Sequence, residues 1–498
     1  MLASSAASAR RPAGLLRSSM SNSPTLPSAI TTMRPSQQLR GKFSSVSKPH
    51  RRALLAQRGR TSTKCASVPP IPEGVTMPNK SRSYFFFPPP IFPVVPIFGR
   101  ETYRYEVIPD RMWRFEQKQG IGLGLNVAVN VCMTVIKMNS GGLFVYSPIA
   151  PTKECVALIE DLGAPVEYIV LPTTLFEHKV FVGPFQRKFP KAEVYVCPGQ
   201  WSWPLDLPPS FFGIFLKGFL DDTNRGASLP FADEFEVEIL QPGPIGVSNA
   251  LKFNEAAMLH KPTGTLLVVD AVVYASDRVP DVISEEALLE SGNDDNIVVT
   301  VLKLINLFGI RDKAKARTRG SKDMSKEEVL DLGWQRNALQ ALYFGPVDLL
   351  EPAASWEYIS DRLIVAPIVS TLVYSNAVEA VEEWVDRICR WKFQRIMPCH
   401  FDGPIQSNPR EFRSAFRVLR ETDGTSSKAT NPLAAFFSKD TKQAYYPPDD
   451  VLLLQIVGKF LKDGGVIFTD ENRPTTFTSQ IEQAGTTKRG QKGKAASR

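Results

Sequence analysis

The amino-acid sequence predicts an α/β protein with a mixed sheet or a pair of sheets. Short apolar runs rich in β-branched residues alternate with amphipathic helical segments, which is the pattern of α/β folds. The run Glu255–Leu259 is followed by Thr265–Val269 after a short loop that contains Gly264, as in an antiparallel hairpin. This hairpin favours a mixed sheet or a sandwich over a purely parallel sheet.

The regular pattern starts near Asn126 and predicts several strands and one helix. Thr152 is a good N-cap for that helix, and Gly163 is a good stop signal. The run Val166–Leu171 is almost wholly apolar, as expected for a strand that is covered on both faces. Before the hairpin, the predicted elements are the strands Val127–Val135 and Leu143–Tyr146, a helix from Thr152 to Leu162, and the strands Val166–Leu171 and Phe235–Leu240.

After the hairpin the sequence predicts mainly helices. The clearest is Asn376–Gln394, because its apolar residues keep one face and Asn376 and Glu379 have the spacing of a capping box. It leads directly into a short predicted strand, Arg395–Cys399. The other predicted helices are Ser284–Leu289, Asn296–Phe308, Arg410–Arg420 and Asp450–Lys462.

The N-terminal segment has the composition of an organelle-targeting peptide. Residues 1–72 contain 12 Lys and Arg and 14 Ser, and the first acidic residue is Glu73. Arginines interrupt every early apolar run, so a secretory signal is not expected. The run Lys64–Ser67 resembles a plastid processing site. We therefore expect a cleaved transit peptide that is read by the plastid import machinery, with a mitochondrial address or a nucleic-acid-binding tail as alternatives.

Without residues 1–72 the chain is acidic. The whole chain carries +8 from 59 basic and 51 acidic residues, but the remainder keeps 47 basic residues against all 51 acids, a net charge of −4. A basic surface for nucleic acid is therefore not expected. The six cysteines include no C-x-x-C pair, which argues against a thiolate zinc site. The sequence lacks the long uninterrupted apolar run of a transmembrane helix.

Composition divides the rest of the chain into three parts. Residues 73–125 form a Pro- and Phe-rich arm, which is expected either to pack across the body or to dock a partner. One domain is expected at 126–470, with an insertion at about 274–375 and helices near its C-terminal end. The tail 475–498 is polar and basic, so we expect it to be disordered.

Predicted strands end at residues that can ligate metals. Glu177 and His178 follow one apolar strand, and Asp270 follows the second strand of the hairpin. His400 follows the short strand after the clearest helix. In open α/β sheets the functional site lies beyond the carboxyl ends of the strands, and imidazole and carboxylate groups are ligands of zinc and iron. The pattern therefore predicts a metal site.

The other candidate residues give weaker evidence of a functional site. His260, on the hairpin, is expected to be a packing or surface residue. Cys399 would need an activating base aimed at it, but its neighbour on the strand points to the opposite face. Trp201 and Trp203 fit either a substrate wall or core packing. The run Gly120–Gly124 precedes the first predicted strand, whereas a dinucleotide-binding loop follows a strand.

Around these residues the chain resembles the metallo-β-lactamase superfamily. Members contain the motif T-H-x-H-x-D-H and then a phrase like F-P-x-A-x-V-Y, which is present here at residues 189–195. By this spacing, Glu177 and His178 match the last Asp and His of the motif. Asp270 and His400 match the bridging Asp and the final His.

The resemblance also shows what this chain lacks. Thr173 and Leu175 stand where the first two motif histidines belong, and Gln241–Pro244 offers no third-motif His. The first metal site of the family is therefore lost, whereas the second keeps a full set of counterparts. Glu177 is one methylene longer than the family Asp, so it is expected either to ligate the metal or to act as a general base.

The resemblance implies an αββα sandwich with mixed sheets, a helical insertion and C-terminal helices. It implies at most one Zn or Fe ion, with ester or thioester hydrolysis as the activity and a non-catalytic binding or assembly factor as the alternative. The chain is also similar to an uncharacterised family of plant and cyanobacterial proteins. The phrases that carry this similarity are residues 142–152, 177–179, 198–204 and 260–266.

Overall fold

The structure is a computed structural model in which every described residue belongs to one compact unit, Ser62–Arg498. The residues that it describes are 66–87, 96–121, 127–200, 208–221, 228–242, 244–245, 251–294, 321–343, 352–421, 446 and 448–463. The predicted helix Asn296–Phe308, the tail 475–498 and residues 1–65 lie outside these ranges, as do Trp201 and Trp203.

A short antiparallel pair, β1 (Ser83–Phe86) and β2 (Ile97–Gly99), precedes a seven-stranded sheet. The seven strands are neighbours in chain order: β3 (Tyr103–Ile108), β4 (Met112–Ile121), β5 (Val127–Lys137), β6 (Leu143–Tyr146), β7 (Val166–Leu171), β8 (Glu193–Val196) and β9 (Gly218–Phe219). The pairs from β3 to β6 are antiparallel, and those from β6 to β9 are parallel. The sheet is therefore mixed.

The second sheet has five strands in the order β10-β13-β14-β17-β18, and only the pair β14–β17 is parallel. Among the described residues, two further small antiparallel pairs are β11–β12 and β15–β16. In chain order the bounds are β10 (Phe235–Leu240), β11 (Pro244–Ile245), β12 (Leu251–Lys252), β13 (Glu255–His260), β14 (Thr265–Leu267), β15 (Val273–Tyr274), β16 (Leu363–Ile364), β17 (Arg395–Met397) and β18 (Ile405–Gln406).

The helices lie between and after these strands. Their bounds are α1 (Lys153–Glu160), α2 (Phe176–Gln186), α3 (Glu285–Gly292), α4 (Lys326–Tyr343), α5 (Ala353–Ile359), α6 (Pro367–Leu372), α7 (Val378–Ile388), α8 (Pro409–Ala415), α9 (Val418–Glu421) and α10 (Pro448–Asp463). Short 3-10 helices occur at Pro209–Phe212, Lys261–Thr263, Ser321–Asp323 and Tyr374–Asn376.

Side-chain alternation along the strands produces three packed layers of apolar side chains. Residues from both sheets, such as Phe144 of β6 and Met258 of β13, share one core between the sheets. The opposite face of the first sheet packs on α1 and α2, where Val145 contacts the same cluster as Leu158. The opposite face of the second sheet packs on α4 and α7. The predicted αββα sandwich is thus confirmed.

Several strands match the prediction closely. Leu143–Tyr146, Val166–Leu171 and Phe235–Leu240 have the predicted bounds. The run Val166–Leu171 is covered on both faces, because Ile169 packs toward the outer helices and Val170 packs between the sheets. The largely apolar run at 166–171 therefore predicted β7 well.

The capping-box prediction for the long helix is wrong. Helix α7 begins at Val378, and its N-cap, Ala377, makes no side-chain capping bond. Asn376 belongs to the preceding 3-10 helix, where its Nδ2 donates to the carbonyl oxygen of Leu372 at 2.8 Å. Its Oδ1, the atom that a capping box would use, has no hydrogen-bond partner among the described residues.

The range 73–125, predicted as an arm, contributes two full strands to the first sheet. The ten-residue strand β4 pairs with β3 on one side and with β5 on the other. The end of the predicted transit peptide also contacts the body, since Ser67 exchanges two backbone hydrogen bonds with Gln406 of β18. Residues from Ala66 onward therefore lie against the sandwich.

Among the described residues, no helix combines the length and apolarity that crossing a bilayer requires. The described cysteines, Cys132, Cys155, Cys197, Cys389 and Cys399, are all free thiols. The described parts of the insertion at 274–375 supply α3, α4, α5 and α6, which pack into the outer helical layer over the second sheet.

Candidate metal centre

Three side chains predicted from strand ends meet at one point of the structure. His178, Asp270 and His400 each offer a ligand atom, and these atoms lie within 4.8 Å of one another. Nε2 of His400 is 3.3 Å from Nε2 of His178 and 3.6 Å from Oδ1 of Asp270. Residues more than 200 positions apart along the chain therefore form one cluster, which we call the triad.

Each residue of the triad follows the carboxyl end of a strand, as predicted. His178 lies in the first turn of α2, shortly after β7, rather than in a loop. Asp270 lies in the turn after β14, and His400 lies in the turn after β17. The three turns come from both sheets, so the triad sits at one edge of the sandwich.

The orientation of His400 is fixed by Asn130 of β5. Nδ1 of His400 is 2.9 Å from the carbonyl oxygen of Asn130, and a carbonyl only accepts, so Nδ1 carries the proton. The Asn130 side chain also accepts from the Phe401 N–H at 2.8 Å and donates to the Phe401 carbonyl at 2.9 Å. Phe401 has a φ of +58°, a conformation that needs such support. Nε2 of His400 therefore directs a lone pair into the triad.

His178 is fully buried and is oriented by Ser147, which has a φ of +56°. Ser147 Oγ lies 2.8 Å from Nδ1 of His178. Burial lowers the pKa of His178 well below its usual value and also lowers the pKa of His400. Both rings are therefore neutral at physiological pH, and the 3.3 Å between their Nε2 atoms requires a proton or a cation between the two nitrogens.

Asp270 is presented by a buried carboxylate, Glu255 of β13. Glu255 accepts hydrogen bonds from three consecutive N–H groups: Val269 at 2.8 Å, Asp270 at 3.1 Å and Ala271 at 3.3 Å. These bonds hold the turn that carries Asp270. Oδ2 of Asp270 is itself buried and has no hydrogen-bond partner among the described residues. Burial, and then the charge of Glu177, raise the pKa of Asp270 to about 8.

Two of the three ligand separations in the triad suit one zinc or iron ion. A tetrahedral ion with ligand bonds of about 2.0–2.1 Å separates two of its ligands by about 3.3 Å, close to the observed distances of 3.3 and 3.6 Å. Two neutral imidazoles and one carboxylate are a donor set that both metals accept. The unpartnered Oδ2 of Asp270 indicates that this carboxylate lacks a protein donor that would compete with a cation.

Glu177 stands next to the triad rather than in it. It is the second residue of α2 and is partly exposed. No carboxylate oxygen of Glu177 belongs to the set of mutually close ligand atoms among the described residues. Its negative charge adds to the rise in the pKa of Asp270 and opposes the lowering of the pKa of His400, so it lies within electrostatic reach of the triad. Burial raises the pKa of Glu177 itself.

The residues at the positions of the missing histidines have structural roles. Thr173 is buried, and its Oγ1 accepts from the Leu175 N–H at 3.3 Å. Leu175 is the N-cap residue of α2. Pro242 is buried as well. None of these side chains offers a nitrogen or carboxylate ligand.

Two other sequence candidates have ordinary surroundings. His260 is buried, with its ring nitrogens 2.8 Å from Thr263 Oγ1 and 3.4 Å from Glu234 Oε2. It is a packing residue at the end of β13, and burial lowers its pKa to about 3. Cys399 lies in the core between the sheets, and burial raises the pKa of its thiol well above the usual value. An unreactive thiol is therefore expected.

Sequence reasoning missed the residues that support the triad, namely Asn130, Ser147 and Glu255. A signal was available, because Asn130 and Glu255 are polar residues inside apolar strands. A polar side chain at such a position must find buried partners. The partners themselves could not be identified from the sequence, since they lie on other strands and turns.

Comparison with known families gives one match in sequence. The profile of the family described as "Domain of unknown function (DUF4336)" matches residues 109–352 and 350–418. No curated protein matches the chain.

Several solved structures resemble the chain at low identity. FIM-1 metallo-β-lactamase from Pseudomonas aeruginosa, in its mono-zinc form, is 12% identical, covers 67% of this chain and 97% of its own, and has a TM-score of 0.30. DIM-1 metallo-β-lactamase is 10% identical over 63% and 96%, with a TM-score of 0.29. The Flv1 flavodiiron core from Synechocystis sp. is 11% identical over 77% and 75%, with a TM-score of 0.36. These neighbours have the metallo-β-lactamase fold.

Proposed function

We propose, from the premise that this chain belongs to the family described as "Domain of unknown function (DUF4336)", that it binds one zinc or iron ion and hydrolyses an ester or thioester. The observation that carries the proposal is the triad, whose ligand atoms lie within 4.8 Å of one another. The buried, unpartnered Oδ2 of Asp270 supports a cation rather than a hydrogen-bonded core cluster.

Accessibility supports a catalytic rather than a purely structural site. Structural zinc sites use four protein ligands, whereas catalytic sites use three and leave one position open. Among the described residues the triad supplies three ligands. The Asp270 side chain is 16% exposed, compared with 9% for the His400 side chain. A substrate would therefore approach from the side of Asp270.

The surrounding residues have distinct roles in this proposal. An ion held by the triad supplies a Lewis acid that polarises a carbonyl oxygen. Asn130 and Ser147 keep the Nε2 atoms of the two imidazoles directed at one point. Glu177, beside the triad and partly exposed, would accept the proton of the attacking water, a role that its raised pKa favours.

Hydrolysis is tested with zinc-loaded protein on a p-nitrophenyl ester and an acyl thiocholine. We expect Glu177→Gln to keep the metal but to lower kcat by about 10²–10⁴-fold, because it removes the proton acceptor and keeps the shape. If Glu177→Gln releases the metal, Glu177 is a ligand instead. If the loaded wild type binds metal and hydrolyses neither substrate class, the protein is the non-catalytic binding factor.

Metal affinity is expected to rise with pH. The pKa of Asp270 is raised to about 8, so below that pH the metal-free protein holds a proton that the cation must displace. Affinity for Zn²⁺ should therefore increase about tenfold per pH unit up to about pH 8 and then level off. Calorimetry in buffers of different ionisation enthalpy measures the proton released. Asp270→Asn should flatten the dependence, and an unchanged slope in that variant would contradict the assignment.

We also propose that the protein works in the plastid stroma. The support is the composition of residues 1–72, with 12 basic residues and no acids. Fused to a fluorescent protein, residues 1–72 should direct it into plastids, whereas a fusion that starts at Glu73 should not. Delivery to mitochondria or retention in the cytosol would refute this address.

A further inference from the structure

Five phenylalanines stand out on the surface around one helix. Phe85 is 76% exposed, Phe87 66%, Phe98 69%, Phe211 69% and Phe215 68%. Large aromatic side chains at this exposure are uncommon in monomeric proteins, and a group of them marks an interaction site. We call these five residues the phenylalanine face.

Two of the five, Phe85 and Phe98, belong to the β1–β2 pair, and Phe87 directly follows β1. Side chains alternate along β1, so Tyr84 and Phe86 pack inward on Phe181 of α2, at ring distances of 6.1 and 6.5 Å. Phe85 therefore points away from the helix, where its ring lies 6.0 Å from that of Phe98. The pair is anchored by one side and exposes aromatic rings on the other.

The other two lie on the segment 209–215, which is fixed to the same helix. Gln186 donates to the Phe215 carbonyl at 2.8 Å and accepts from the Phe215 N–H at 3.0 Å. Gly183 lies so close to this segment that an added Cβ would be 2.4 Å from the Phe212 carbonyl oxygen. The exposed rings of Phe211 and Phe215 therefore have rigid supports.

Helix α2 joins the two halves of the face. Residues 176, 180, 183 and 187 fall on one stripe of a helix with 3.6 residues per turn. Phe176 contacts Phe86 of the strand pair. Arg187, directly after the helix, approaches the segment at Gly213, and its charge partly offsets the rise that burial causes in the pKa of Tyr84. The two aromatic groups are thus neighbours across this stripe.

Three basic residues occur just after helix α2, and the first of them, Arg187, lies beside the 209–215 segment. Arg187, Lys188 and Lys191 are exposed and form no ion pair with any residue that the structure describes. Protruding aromatic rings beside free cationic side chains match the layered chemistry of an anionic bilayer surface, which is apolar below its charged headgroups.

We propose that the phenylalanine face binds the surface of an anionic lipid bilayer. The rings of the five phenylalanines would enter the boundary between headgroups and acyl chains, and the basic side chains would contact the headgroups. A protein partner or a second copy would be expected to need complementary depressions, whereas protruding rings need none in a lipid surface. The strand pairing of β1 and β2 satisfies backbone groups near the rings, which lipid contact requires.

Vesicle cosedimentation of the full chain tests this proposal, with vesicles of phosphatidylcholine alone or mixed with phosphatidylglycerol. The N-terminal basic residues are kept in every variant, so differences between variants report only on the substituted residues. Two variants remove rings, F85S/F87S/F98S and F211S/F215S. The matched control is Phe460→Ser on α10, which removes a 75% exposed phenylalanine elsewhere in the molecule.

We expect each ring-removing variant to bind mixed vesicles about tenfold more weakly or worse, with no effect of Phe460→Ser. Charge reversal at Arg187 and Lys188 should weaken binding about fivefold per residue at low salt and less at high salt. Binding of the ring-removing variants equal to wild type overturns the proposal. The proposal is also overturned if the wild type does not bind vesicles but self-associates or binds a protein partner, and the ring-removing variants abolish that association. The face would then be a protein interface.

Discussion

Replacing His400 by alanine is expected to weaken Zn²⁺ binding by more than about 100-fold. Changes in the residues that merely support a metal ligand cost about 10–100-fold in affinity, and the loss of a ligand should cost more. His400 supplies the nitrogen that lies nearest to both other ligand atoms, at 3.3 and 3.6 Å. The remaining His178 and Asp270 would have to hold the ion alone.

His260→Ala is the matched control for this experiment. It also removes a buried imidazole at the end of a strand of the second sheet, but His260 bonds to Thr263 and Glu234 rather than to the triad. Competition with a chelating dye measures the affinity, and circular dichroism checks that each variant is folded. Equal zinc affinity in wild type and His400→Ala would remove His400 from the site.

The second large effect is expected from Glu255→Ala, through stability. Glu255 accepts from three consecutive N–H groups, two of them in buried hydrogen bonds, and each buried donor left unpaired costs about 1–3 kcal/mol. Allowing for relaxation of the turn, we expect the free energy of unfolding of the metal-free protein to fall by about 3–5 kcal/mol. The turn that carries Asp270 should also lose its fixed position, so zinc affinity should fall.

Denaturant unfolding measures the change, with two comparison variants. Glu255→Gln keeps one acceptor oxygen and should lose less stability than Glu255→Ala. Glu236→Ala removes an exposed carboxylate from the adjacent strand β10 and should change stability by less than about 0.5 kcal/mol. A loss in Glu255→Ala no larger than in Glu236→Ala would show that the three N–H groups do not depend on this carboxylate.

The sequence predicted the parts of the fold whose pattern is local. Val166–Leu171 could be recognised because both of its faces are apolar and buried. Strand β4 could not, because its inner face carries Arg114 and Glu116, which read as solvent-exposed residues. In the structure these two side chains are buried and form an ion pair at 2.8 Å. A buried charge is recognisable only with its partners in place.

The same distinction between local patterns and long-range contacts applies to the candidate site. The rule that sites lie beyond strand ends selected His178, Asp270 and His400 from the sequence. No local pattern could show that their ligand atoms lie within 4.8 Å of one another, or that Glu177 stands outside that set. The support by Asn130 and Glu255 was equally hidden, because each acts on a turn that is distant in sequence.

The most direct test of the account is a crystal structure of the zinc-loaded protein with anomalous diffraction at the zinc absorption edge. The triad predicts one strong peak per chain, about 2.0–2.2 Å from Nε2 of His178, Oδ1 of Asp270 and Nε2 of His400. No peak among these three atoms, or a second peak of equal strength beside Thr173, would contradict a single-ion centre.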